Sequence, residues 1–108
     1  MYETPGCMWC RQWHAEIGRG YAKTTEGQRA PLRTRMLSDP PLPGLSLATP
    51  VTLTPTFVLI ENGKEVGRIA GYPGSEFFYH LLNDLFKRLP DALPAQAAAP
   101  DKLKSAKQ

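Results

Sequence analysis

The stretch that most constrains the fold is Thr54-Pro55-Thr56-Phe57-Val58-Leu59-Ile60 and the turn that follows it. Pro55 heads an otherwise β-branched and apolar run, a position where it need not donate to a sheet ladder. The run reads as a buried central strand. Glu61-Asn62-Gly63-Lys64 then reverses the chain, because Asn-Gly readily takes the positive φ angles of a type I′ turn. Glu65 to Ala70 is the return strand, with Val66 and Ile69 flanking Gly67, and Gly71-Tyr72-Pro73-Gly74 breaks it. Ser75 is expected to cap a final amphipathic helix whose apolar stripe is Phe78, Leu81, Leu82, Leu85 and Leu89, with Pro90 as its stop.

The chemistry lies at the other end of the chain. Both cysteines sit in Pro5-Gly6-Cys7-Met8-Trp9-Cys10, with two residues between them. Met1-Tyr2-Glu3 before them reads as the end of a strand, and residues 7 to about 21 as a helix with Trp9, Trp13, Ile17 and Tyr21 on one face. Cys7 therefore falls at a strand-to-helix turn. Backbone N–H groups there lack carbonyl partners and favour a thiolate. Cys10, one turn on, shares its face and is near enough to close a short disulfide. A dithiol with one accessible and one protected sulfur is a redox centre. Metal binding would need two more ligands, and His14 and His80 lack zinc-site spacing from the pair. A purely structural disulfide would close too small a loop to stabilise much.

At 108 residues with a net charge of +3, the chain suits one compact domain and carries no strongly basic surface. Arg29, Arg33 and Arg35 are the densest basic cluster and read as a solvated side, so nucleic-acid binding is not expected. No apolar run reaches membrane-spanning length, and no signal peptide precedes the helix. The first strand is so short that an upstream part, with an export signal, is expected to have been removed. Thr24-Thr25-Glu26-Gly27 is expected to end the first helix. Residues 30–37 read as a strand with Leu32 and Met36 inward, Ser38 to Gly44 as a Pro-rich loop, and Leu45 to Ala48 as a short helix. Residues 90–108 are Ala-, Pro- and Lys-rich and read as a disordered tail, leaving 1–89 as the domain.

This order of elements, with Cys7-Met8-Trp9-Cys10, Thr54-Pro55-Thr56 and Gly71, resembles the thioredoxin superfamily. Pro5-Gly6-Cys7, Trp13-His14 and the run Gly67-Arg68-Ile69 to Gly71-Tyr72-Pro73-Gly74 are most similar to the SoxS-type thioredoxins, periplasmic proteins encoded with bacterial sulfur-oxidation clusters. The resemblance covers roughly residues 1–89. It implies an α/β thioredoxin-like fold: a central mixed sheet of about four strands flanked by helices, its first strand truncated. It also implies a periplasmic thiol-disulfide oxidoreductase that works as a monomer without cofactor or metal. Cys7 would attack, Cys10 would resolve, and Pro55 would be a cis-proline facing the disulfide. The Thr54 backbone would be free to pair with a substrate strand. Met8, Trp9 and Gly71 would complete the substrate surface. The implied partners are a protein disulfide and a membrane or soluble thiol donor.

The sequence departs from ordinary thioredoxin in three places. Met8-Trp9 replaces Gly-Pro between the cysteines, Gly6 stands where an aromatic residue usually precedes the first cysteine, and the buried acid would fall at Met1. Glu3 or a water would have to take over its proton transfer, or Cys10 manages without. His14, four residues after Cys10, is either a relay or thiolate-biasing group or a plain half-exposed helix histidine. Two other readings stay open. An aromatic residue before Cys10 also resembles glutaredoxin, with glutathione as reductant, although no Gly-Gly-x-Asp stretch follows Gly71. An interaction or sensor module with idle cysteines is the third.

Overall fold

The computed structural model describes residues 1–89; the expected tail, 90–108, lies outside the described residues. The elements run β1 (Tyr2–Glu3), α1 (Met8–Trp13), a π-helical turn (His14–Gly18), a 3-10 turn (Tyr21–Lys23), α2 (Thr25–Arg29), β2 (Arg35–Met36), β3 (Thr56–Glu61), β4 (Lys64–Ala70) and α3 (Ser75–Phe86). The strands form one four-stranded mixed sheet in the order β2-β1-β3-β4. β1 runs parallel to β2 and antiparallel to β3, and β3 pairs antiparallel with β4.

The β3–β4 hairpin forms where the Asn-Gly signal places it. Asn62 and Gly63 take φ angles of 53° and 79°, the left-handed region that a type I′ turn needs at both positions. Its register sets Phe57 opposite Ile69, and both are buried. Onto them packs Trp13, which is 0% exposed, with its ring 5.3 Å from Phe57 and 5.7 Å from Phe78 of α3. Phe57 and Phe78 meet edge to face at 4.8 Å. Such aromatic contacts add about 0.5–1.5 kcal/mol each beyond burial. The helix that begins at the cysteines is thereby locked to the sheet and to α3.

Several local readings need correction. The first helix does not continue in α form to residue 21: it widens to a π turn after Trp13 and tightens to a 3-10 turn at Tyr21. Trp13, Ile17 and Tyr21 are buried as the spacing implies, but Trp9 is exposed because it precedes the part of the helix that the sheet covers. Thr24-Thr25-Glu26-Gly27 does not end the helical region. Thr24 caps α2, accepting the Gly27 N–H at 2.9 Å through its hydroxyl. The residue at 27 must be glycine, since a Cβ there would lie 1.8 Å from the backbone oxygen of Tyr21.

The strand expected over 30–37 is reduced to Arg35–Met36, because its partner β1 offers only Tyr2 and Glu3. Leu32 and Met36 point outward, at 37% and 42% exposure. Leu45 to Ala48 is not helical. Ser46 instead bridges to Lys64 at the open edge of β4, donating to Gly63 O at 2.7 Å and accepting from Glu65 N at 3.0 Å. Ser75 is the first residue of α3 and makes no capping bond; Gly74 occupies the cap. The buried face of α3 is Phe78, Leu82, Leu85 and Phe86, while Leu81 is exposed.

Replacing Gly27 with alanine forces α2 away from Tyr21. Gly27→Ala is expected to destabilise the domain by about 1–3 kcal/mol, read as a lowered urea midpoint at unchanged m-value.

Candidate active site

Cys7 is the N-cap residue of α1, and Cys10 lies within the first turn. The two are joined as a disulfide with their Cα atoms 5.2 Å apart. The sulfurs are unequal. Cys10 is only 2% exposed, whereas Cys7 is partly open, and its Sγ accepts the Cys10 backbone N–H at 3.1 Å. A donor aimed at Cys7 Sγ stabilises negative charge there once the disulfide opens. Met8 and Trp9, between the cysteines, are 64% and 56% exposed. They place exposed apolar side chains next to the disulfide in the chain.

The Thr54–Pro55 peptide is cis. Pro55 is fully buried, and its carbonyl accepts the Gly71 N–H at 2.7 Å. That bond extends the β3–β4 ladder one step past the Thr56–Ala70 pair, so Gly71 is held against Pro55. Thr4 connects this peptide to the cysteines. Its carbonyl accepts the Cys7 N–H at 3.2 Å, and its hydroxyl meets the Thr54 hydroxyl at 2.7 Å. Cys7, Cys10, Thr54, Pro55 and Gly71 are thus brought into one hydrogen-bonded assembly, with Met8 and Trp9 beside it.

Three supports escaped the sequence reading. Thr4 is one; counting strand register outward from Pro55 would have found it. The second is the ion pair of Glu65 and Arg68, 5% and 21% exposed, on β4. Arg68 donates to Glu65 through Nε at 2.7 Å and Nη2 at 2.8 Å, and reaches the carbonyls of Thr49 at 2.7 Å and Pro50 at 3.3 Å. Glu65 also accepts the Ala48 N–H at 2.8 Å. The pair straps the segment leading to Thr54 against the sheet. Residues three apart in a regular strand face opposite sides, and the partners in 48–50 lie far away in sequence, so no local signal marks the pair. The third is Tyr72, whose hydroxyl donates to Glu16 just beyond α1. Burial, and then that carboxylate, hold the Tyr72 hydroxyl above its ordinary pKa, so it remains a donor.

His14 and Glu3, the residues considered for proton movement, are hydrogen bonded at 3.0 Å. An apolar groove of about 480 Å³, lined by Tyr21, Leu42, Leu45, Leu59 and Phe86 among others, includes none of the assembled site residues. The disulfide instead reaches the surface through Cys7.

No protein-family model matches the chain, and no curated protein does. Among solved structures it is similar to the reduced form of the periplasmic thioredoxin SoxS from Paracoccus pantotrophus. The two are 49% identical and superpose with a TM-score of 0.80 over 82% of this chain and 93% of that one. The chain belongs to the SoxS-type thioredoxins. It is a thiol-disulfide oxidoreductase with a thioredoxin fold and a CxxC disulfide. Within that fold, Glu65–Arg68 is this thioredoxin's brace on the segment preceding Thr54.

The Arg68 hydrogen bonds hold the Glu65 carboxyl below its ordinary pKa of 4.5. Because the folded-state value is the lower one, the contribution to stability is complete above about pH 4.5 and is lost as pH falls through the folded value. Glu65→Gln is expected to cost about 1–3 kcal/mol at pH 7. Denaturation across the acid range should show the gap from the parent narrowing below that pH.

Proposed function

We propose that this thioredoxin reduces disulfides of a periplasmic partner protein in a sulfur-oxidation pathway, as the SoxS-type resemblance implies. The observation that carries the reading is the unequal sulfur pair: Cys7 is reachable and hydrogen bonded by a backbone donor, and Cys10 is buried directly behind it. In the reduced protein the Cys7 thiolate attacks one sulfur of the substrate disulfide. The other substrate sulfur leaves as a thiolate and takes up a proton. Cys10, deprotonated, then attacks Cys7 Sγ. The second substrate sulfur departs, two electrons have passed to the substrate, and the Cys7–Cys10 bond remains. A membrane or soluble thiol donor returns the pair to the dithiol.

The roles of the other residues follow from the same placement. Pro55 has no N–H, which lets a substrate strand lie close to the sulfurs, and Thr54 presents its backbone to that strand. Met8 and Trp9 contact the partner's apolar surface. A disulfide reachable at Cys7 beside the exposed apolar Met8 and Trp9 suits a macromolecule better than a small molecule enclosed in a pocket. The protein acts as a monomer and needs no metal or cofactor.

Two measurements test this. Cys10→Ser should accumulate a mixed disulfide with a protein substrate on a non-reducing gel, and Cys7→Ser should form none and retain only background reductase activity. A reduction potential near about −270 mV would agree with a reductase. A potential near about −120 mV would reverse the direction of electron flow and overturn the proposal.

A further inference from the structure

β1 and β3 are paired at a single position, Tyr2 opposite Thr56. Stepping that antiparallel register outward by two residues on each strand sets Thr4 opposite Thr54. The backbone ladder does not follow: Pro55 turns its carbonyl to the Gly71 N–H on the β4 side, and Thr4 and Thr54 share no backbone bond. A side-chain bond takes over: the two threonine hydroxyls lie 2.7 Å apart across a separation of 50 residues. Cross-strand threonine pairs of this kind are an ordinary means of holding neighbouring strands in register. Thr4 differs from an ordinary pair member in one respect. Its own carbonyl accepts the Cys7 N–H at 3.2 Å, so one residue grips both the turn that carries the disulfide and the peptide that precedes Pro55. Among the described residues, the Thr4–Thr54 bond is the only side-chain hydrogen bond between those two segments.

We infer that Thr4 is a positioning residue that sets the selectivity of this oxidoreductase for protein disulfides over small ones. The inference rests on the proposal that the Thr54–Pro55 peptide receives a substrate strand. A protein substrate must present its disulfide to Cys7 and its backbone to Thr54 at once, so the distance between the two segments enters its binding. A small disulfide needs only the sulfur. Losing the Thr4 hydroxyl leaves Thr54 free to drift and weakens the first reaction alone.

The test compares kcat/KM for insulin, with dithiothreitol as donor, against the single-turnover rate of the reduced protein with dithionitrobenzoate, a small aromatic disulfide. Thr4→Val is expected to lose about five- to tenfold on insulin, the effect of one positioning hydrogen bond, through KM rather than kcat. Its rate with the small disulfide should stay at the parent value. Thr4→Ser, which keeps the hydroxyl, should restore insulin reduction. Thr54→Val approaches the same bond from the other strand and should lose insulin reduction to the same extent even if Thr4→Val folds poorly. The double variant should be no worse than the weaker single one, since both remove one interaction. Equal losses on both substrates, no loss on insulin, or losses that simply add would each overturn the inference. A parent protein inactive on insulin but active on the small disulfide would instead sink the underlying substrate-strand proposal, and that result is visible without any variant.

Discussion

The packing of Trp13 between Phe57 and Phe78 is the contact on which the rest depends. It joins the helix that follows the cysteines, the central strand and the last helix in one desolvated cluster. A short α1 has little stability of its own, because nucleating a helix is unfavourable and six residues propagate few bonds. Tertiary burial makes it persist. Since Cys10 lies three residues before Trp13, the same burial draws Cys10 into the protein while Cys7, one turn earlier at the cap, stays reachable. The difference in exposure between the two sulfurs is thus a by-product of where the aromatic anchor sits.

The second half of the site is organised by where backbone pairing has to stop. β3 begins at Thr56, and its ladder with β4 runs one step further through Pro55 O and Gly71 N. On the β1 side backbone pairing ends at Tyr2 and Thr56, and the contact passes to the side chains of Thr4 and Thr54. The approach to this point is controlled from the opposite edge of the sheet. There Glu65 and Arg68 occupy the carbonyls and amide of residues 48–50. An edge strand with open hydrogen-bonding groups invites association, and the strap answers that need at the same time.

Much of this was legible in the residues. Asn62-Gly63, the apolar strand before it and the cysteines at a strand–helix junction act through local backbone chemistry, and each appears where it was expected. The thioredoxin landmarks at Thr54-Pro55 and Gly71 likewise stand on the loops that meet. Less legible were the features whose causes are distant. Thr24-Thr25-Glu26-Gly27 contains good capping chemistry and a glycine, a combination that fits a helix end as well as a helix start. Only the approach of Tyr21 to Gly27 shows which applies. Ser46 to Pro50 has no periodicity of its own; it lies along β4 because Gly63, Glu65 and Arg68 offer it partners.

By itself, then, the sequence determined the hairpin, the burial of Trp13, Ile17 and Tyr21, the redox dithiol and the thioredoxin-type order of elements, because these follow from nearest-neighbour geometry and from the period of apolar residues. The tertiary structure alone decided that Trp9 faces solvent while Trp13 does not, that β2 is no longer than its partner, and that Thr4, Glu65 and Arg68 hold the site together. Those outcomes depend on which strand lies beside which and on what covers each face, and chain separations as long as that between Thr4 and Thr54 leave no local trace of either.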